Sequence, residues 1–147
     1  MTLKRFLFPT YAESSAAYSV LLLALRVLFG VLFLSHGYDK LMAHATMAPL
    51  FADPFGMGST ISFWMVVFAE VVCSFAVILG ILQRLAVIPM IVTMCVAFFF
   101  IHGGDPFALR EPSFIYLMVF LLLLFTGPGR LSFDAVIGNE IFSDRDD

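Results

Sequence analysis

Charged residues are scarce in this chain of 147 residues: Asp, Glu, Lys and Arg make up only 13% of it. A typical soluble domain is about 25% charged, so a chain with half that share lacks the usual water-facing surface. Eight basic residues stand against eleven acidic ones, which gives a net charge of −3 and no basic patch. This balance excludes a nucleic-acid partner. The composition therefore predicts an integral membrane protein with the lipid bilayer as its surroundings.

Cysteine is also rare, and the familiar motifs of soluble enzymes are missing. The two cysteines, Cys73 and Cys95, lie on different apolar runs and form no C-x-x-C pair. Thiol exchange usually needs two thiols close together, so we interpret both as packing residues. The sequence has no phosphate-binding loop, nucleophile elbow or dinucleotide fingerprint. Polar residues within the membrane are therefore the place to look for chemistry.

Long apolar runs are what the sequence has in abundance, since 61% of its residues are hydrophobic and 18 are Phe. A helix needs about 20 apolar residues to cross a bilayer, which predicts four transmembrane helices. We place them at residues 16–35, 61–82, 85–101 and 112–126, with Pro112 in the first turn of the last. The fold class is thus all-α, a four-helix integral membrane bundle. One domain covers residues 1–147, with a loop at 37–60 and a tail at 130–147.

The distribution of Lys and Arg predicts the orientation in the membrane, because positive charge concentrates in cytoplasmic loops. A cytoplasmic N-terminus puts five basic residues inside and two outside. Those inside are Lys4, Arg5, Arg84, Arg130 and Arg145, and those outside are Lys40 and Arg110. We therefore predict that both termini are cytoplasmic. The first apolar run is too long for a signal peptide and is interpreted as a retained helix.

Two charged residues, Arg26 and Glu70, lie inside predicted membrane helices. A charge at the bilayer centre costs several kcal/mol, so such residues usually face the bundle interior and mark a functional site. Helical periodicity puts Arg26, Gly30, Phe33 and Lys40 on one stripe of the first helix. Depth along the helices predicts that Arg26 and Glu70 meet near mid-membrane. Two interpretations stay open: an ion pair that fixes helix register, or a polar pocket for a ligand.

Two histidines close the first and third predicted helices in a repeated H-x-x-D pattern, His36 with Asp39 and His102 with Asp105. Both lie at the predicted outer interface. Three interpretations remain open for them: interfacial capping, hydrogen bonding or proton transfer to a ligand, and metal or haem ligation. The carboxylate-rich pattern of metal sites in helix bundles is absent, so we expect no metal or haem.

An ordered set of segments carries a family resemblance: residues 25–30, 36–41, 79–86 and 126–134, together with Glu70 and His102. In this order and spacing they resemble the DoxX family of small four-helix bacterial membrane proteins. The resemblance implies a multi-pass protein of the bacterial plasma (inner) membrane that is associated with redox chemistry. Family members are described as subunits of quinone-linked or thiol-linked oxidoreductase complexes. Most members have no demonstrated activity, and this chain lacks the paired cysteines of some redox-associated relatives.

The leading hypothesis is a quinone-linked accessory subunit that works with a redox partner protein. Its acid–base groups would be Glu70, Arg26, His36 and His102, and its quinone-binding residues Arg26, Gly30, Phe33, Lys40, Glu70 and His102. One alternative is a non-enzymatic scaffold or a carrier of lipids or small molecules. Another is a haem or metal protein that uses both histidines. The small residues Ala76 and Gly80, four apart, indicate close helix packing, either within the bundle or in a homodimer.

Overall fold

A computed structural model describes residues 15–143 of the chain. Within this range four helices are long and apolar enough to cross a membrane. They are α1 (Ala16–Met42), α2 (Ser59–Leu79), α3 (Gln83–Ile101) and α4 (Phe107–Thr126). A shorter helix, α5 (Phe133–Ser143), follows them, and the described residues contain no strand. The prediction of an all-α bundle with four membrane helices is confirmed. Lys4, Arg5 and Arg145, on which the predicted orientation partly depends, lie outside the described residues.

Two helices extend further than their apolar runs. Helix α1 begins after Ser15, whose side chain accepts a hydrogen bond from the Tyr18 N–H, and continues through the polar residues 36–40 to Met42. Helix α4 begins at Phe107, so Pro112 lies inside it rather than in its first turn. Hydropathy marks only the lipid-immersed part of a helix, whereas backbone hydrogen bonding continues into the polar residues that follow.

The core lies where the four helices face one another. It contains Phe33, Val77, Met90, Leu117 and Phe120, and it leaves many apolar side chains on the outside of the bundle. Such an exterior is what a bilayer requires, because lipid tails are as apolar as the core. Ala76 packs against this core, so the small residue serves contacts within the bundle.

A tight turn joins α2 to α3, and a distant carboxylate completes it. Gly80 and Leu82 both have positive φ values, of 70° and 44°. The carboxylate of Asp134 accepts hydrogen bonds from the backbone N–H groups of Leu82 and Gln83 at 2.7 and 2.9 Å. These donors begin α3 and have no acceptor within their own helix, so Asp134 caps α3 from outside it. We call this end of the bundle, with residues 80–82 and 127–134, the hairpin end.

The opposite end carries the loop of residues 43–58, and we call it the loop end. The loop contains two short helical segments, His44–Met47 and Ala48–Leu50. Asp53 organises the rest: its carboxylate accepts hydrogen bonds from the N–H groups of Met57 and Gly58 and from the Ser62 hydroxyl, at 2.7–3.0 Å. These bonds lower the pKa of Asp53, with Gly58 the largest cause.

Candidate functional site

A cavity of about 1060 Å³ opens between the four helices at the loop end. Its wall is mostly apolar and aromatic, and the loop of residues 43–58 contributes to it. The polar and charged side chains in this wall are His36, Lys40, Thr60, Ser62, Glu70, Thr93, His102, Ser113 and Tyr116. Ligand pockets commonly combine an apolar wall with a few polar groups in this way.

A buried ion pair forms the strongest electrostatic feature of the cavity wall. The Lys40 ammonium donates hydrogen bonds to both carboxylate oxygens of Glu70, at 2.9 and 2.8 Å. The Glu70 side chain is 4% exposed and that of Lys40 is 21% exposed. Each charge therefore depends on the other for compensation, because little water reaches the carboxylate.

Backbone features place this pair. Glu70 lies in a π-helical turn, Phe68–Val72, and a second π turn, Ala97–Ile101, precedes His102. A π turn inserts an extra residue into a helix and re-aims the neighbouring side chains, and it is often found at functional sites. Gly37 completes the arrangement, since a Cβ there would come within 2.7 Å of the Glu70 Cβ. The absence of that atom lets α1 lie directly against α2.

The cavity also brings together residues that are far apart in the sequence. His36 and His102 line it, as does Phe33. The ring of Tyr116 on α4 lies 5.9 Å from the His36 ring and 5.3 Å from the Phe33 ring. His102 contacts Asp105 through Nδ1 at 2.8 Å, so one nitrogen of this imidazole is held in place.

Tyr116 lines the cavity but was not predicted as a site residue. The sequence feature that could have identified it is the spacing of Pro112, Ser113 and Tyr116. These residues lie on one face of α4, and all three line the cavity. That face contains no charged residue, so hydropathy could not distinguish the cavity-facing side of α4 from its lipid-facing side.

Arg26 lies at the hairpin end, away from this cavity. Its side chain is buried and donates hydrogen bonds to the carbonyl oxygens of Pro128 and Leu131, at 2.6 and 2.7 Å. The guanidinium also lies beside Gly80, 2.6 Å from where a Cβ would stand. Arg26 thus fastens α1 to the hairpin turn and to the segment that follows α4.

The prediction that Arg26 and Glu70 meet is wrong. Helix α1 has 27 residues, about 40 Å at 1.5 Å per residue. It is shifted along α2 so that Arg26 lies level with Gly80, while Lys40 reaches Glu70. The depth of each residue was counted from the inner end of its helix, as if the inner ends of α1 and α2 were level, whereas Gly30 of α1 already lies against Ile78, near the end of α2.

Gly30, predicted to bind a flat ligand, lies at the contact between α1 and α2. A Cβ at Gly30 would come within 2.5 Å of the Ile78 Cγ1 atom. Neither Gly30 nor Arg26 is among the described residues that line the cavity. Of the predicted site residues, the cavity thus brings together Phe33, His36, Lys40, Glu70 and His102.

The comparison with known families agrees with this architecture. The DoxX family model matches residues 21–103, which is more than half of the chain. The chain belongs to the DoxX family. No curated protein and no solved structure matches it.

The DoxX match covers most of α1 and all of α2 and α3. It therefore includes His36, Lys40, Glu70 and His102. Tyr116 on α4 and the hairpin-end segment that receives Arg26 lie beyond the matched residues. Four apolar helices together with this domain identify a multi-pass membrane protein.

Proposed function

We propose that this DoxX protein is a membrane subunit of a quinone-linked redox system and binds the quinone ring in the cavity beside Lys40 and Glu70. One observation carries the proposal: an apolar, aromatic-lined cavity of about 1060 Å³ has a buried ion pair in its wall. A quinone has an apolar ring and two carbonyl oxygens that accept hydrogen bonds. A cavity with apolar walls and a few fixed donors suits such a molecule.

Lys40 is the donor best placed for one carbonyl oxygen. An ammonium group has three N–H donors. Two of them are directed at the Glu70 oxygens, which fixes the position of the nitrogen and leaves the third for a ligand. Glu70 in this scheme holds Lys40 in place and balances its charge, so it is a positioning residue.

Phe33 and Tyr116 would provide the flat contact for the ring, since their own rings lie 5.3 Å apart at the cavity wall. His36 and His102 would hold or transfer protons at the carbonyl oxygens, because an imidazole ring has nitrogens that can donate or accept a proton. The bound quinone would supply the two-electron chemistry. Electrons would come from a redox partner protein, the second component of the proposed system.

Mass spectrometry of an organic extract tests the proposal directly. Protein purified in mild detergent should carry quinone in a near-stoichiometric amount. The variant Lys40→Met/Glu70→Gln, which removes both charges together, should lose it. Glu111→Gln is a matched control, because Glu111 is exposed on α4 and does not line the cavity. Wild-type protein without quinone that also fails to bind added quinone would refute the proposal.

A second candidate is a carrier of lipids or other apolar small molecules. The observation in its favour is that the wall of the cavity is mostly apolar and that Cys73 and Cys95, both among the described residues, are not part of it. If the protein is a carrier, the same organic extract should contain a lipid other than quinone. Variants of Glu70 should then leave quinol turnover unchanged in the complex with the redox partner protein. A visible absorption spectrum of the same sample would reveal a haem bound by the two histidines.

A further inference from the structure

Several residues belong both to the cavity wall and to the outer surface of the bundle. On α2 and α3 these are Ile61, Met65, Phe68, Ile88 and Val92. Each of them is 45–55% exposed. A side chain that faces a cavity and the exterior at once marks an opening. The cavity therefore opens sideways between α2 and α3.

The packing of α2 against α3 explains this opening. The two helices are joined by the short turn at the hairpin end. Helix α3 contacts two segments of α2, Phe68–Val72 and Cys73–Leu79. Towards the loop end the cavity takes the place of that contact. The π turn at Phe68–Val72 lies where the helices begin to separate.

The opening lies at the depth of the hydrocarbon core. Phe68 is nine residues from the start of α2 and Val92 is nine residues from the end of α3. Both are thus about 13 Å from the loop end at 1.5 Å per residue. The hydrocarbon core of a bilayer is about 30 Å thick, so both residues lie near its middle. In a bilayer this opening would therefore face lipid tails rather than water.

The loop of residues 43–58 covers the cavity on the side facing the aqueous phase. Phe51, Pro54, Phe55 and Met57 line the cavity from this loop. The Phe55 ring lies 5.5 Å from that of Phe100 on α3, which links the loop to the helix bundle. A ligand from water would have to displace these side chains, whereas a ligand dissolved in the membrane meets the opening directly.

The volume of the cavity indicates how large the ligand is. An apolar cavity of about 150 Å³ accommodates a benzene ring. The cavity here is about seven times larger, so a quinone ring alone would leave most of it empty. We infer that the ligand is a membrane lipid with a long apolar chain, which enters between α2 and α3. Its head lies at Lys40 and Glu70, and its chain runs out through the opening; the nature of the head rests on the proposed function.

Fluorescence of the single tryptophan provides the test. Trp64 is the one tryptophan of the chain, and it lines the cavity. Binding of a quinone beside it should quench its emission. Two probes are compared in lipid nanodiscs: a benzoquinone with a polyisoprenoid tail, and the same ring without a tail.

Bulky substitutions at the opening separate the two probes. The double variant Met65→Phe/Val92→Phe narrows the opening and keeps Trp64 as the reporter. The double variant Val72→Phe/Leu85→Phe is the control, because these residues are similarly exposed on the same helices but do not line the cavity. Narrowing should slow association of the tailed quinone by roughly tenfold and change that of the tail-less ring less than about twofold. The control should leave both rates unchanged.

Each outcome decides between the two proposals. Slowing of neither probe overturns lateral entry, and equal slowing of both overturns the requirement for a long chain; either result leaves the quinone site standing. If wild-type protein binds neither quinone, the proposed function fails. Labelling by a photoreactive fatty acid in vesicles then tests lateral entry independently of the quinone. The chain of the fatty acid should label Phe33 and Met94, which are buried cavity residues, in wild type but not in the narrowed variant. Labelling confined to exposed residues would refute the inference.

Discussion

Removing one partner of the ion pair between Lys40 and Glu70 should destabilise the protein, and the two removals should differ. Lys40→Met leaves a carboxylate whose side chain is 4% exposed without its partner. Loss of one member of a buried pair typically costs about 3–5 kcal/mol of unfolding free energy. Glu70→Gln leaves an ammonium that is 21% exposed and faces the cavity, and the new amide can still accept a hydrogen bond. We expect that variant to lose only about 1–3 kcal/mol.

The double variant Lys40→Met/Glu70→Gln should be more stable than Lys40→Met alone. It leaves no unpaired charge, and replacing both members of a buried pair is often nearly neutral. Since the two single losses together come to about 4–8 kcal/mol, a nearly neutral double variant implies a coupling energy of about 4 kcal/mol or more. Glu111→Gln, an exposed change of the same chemistry, should stay within about 0.5 kcal/mol of wild type.

Equilibrium unfolding in mixed detergent micelles measures these differences, with helical circular dichroism as the signal and Trp64 emission as a second probe. Agreement between the two probes would justify a two-state analysis. Two results would refute the reasoning. One is a Lys40→Met variant within about 1 kcal/mol of wild type. The other is additivity of the two single substitutions, which would mean that the charges do not depend on each other.

Three further predictions concern the contacts around the site. Gly37→Ala adds a Cβ 2.7 Å from that of Glu70, so it should cost about 1–3 kcal/mol in the same unfolding assay and weaken quinone retention. Asp134→Ala removes the acceptor of two N–H groups at the start of α3 and should cost about 2–4 kcal/mol, whereas Asp134→Asn, which keeps one acceptor oxygen, should cost less. Since hydrogen bonds lower the pKa of Asp53, its stabilisation of the loop is present above the unfolded value of about 3.9 and is lost as the pH falls through the lower folded value. Protease sensitivity of residues 43–58 should rise in that acidic range in wild type and show no such step in Asp53→Asn.

Part of the candidate site could be predicted from the sequence. Glu70 and the polar residues at the ends of α1 and α3 were recognised because ionisable groups in apolar runs are rare and costly. Lys40 was predicted as a ligand-binding residue on the stripe of α1 that faces the bundle. The partner of Glu70 could not be predicted, because it depends on how far α1 is shifted along α2. Gly30 and Gly37 allow close contact at this shift, against Ile78 and Glu70, which no local pattern reveals.

The role of Arg26 also could not be predicted from the sequence. Its burial was expected, but its acceptors are carbonyl oxygens more than 100 residues away in the chain. These carbonyls become available only because the segment after α4 folds back against the hairpin turn, where Asp134 caps α3. The sequence shows that a charge is present in the helix, but it does not show that the segment after α4 folds back to meet it.

The sequence by itself determined the class, the four membrane helices and the scarcity of charge within them, because hydropathy and run length are properties of local segments. It also contained the DoxX pattern. Only the tertiary structure decided that Lys40 pairs with Glu70, that Tyr116 joins the cavity and that Arg26 fastens the hairpin end. The physical reason is that these contacts depend on the axial shift and separation of helices, which close packing between distant residues sets.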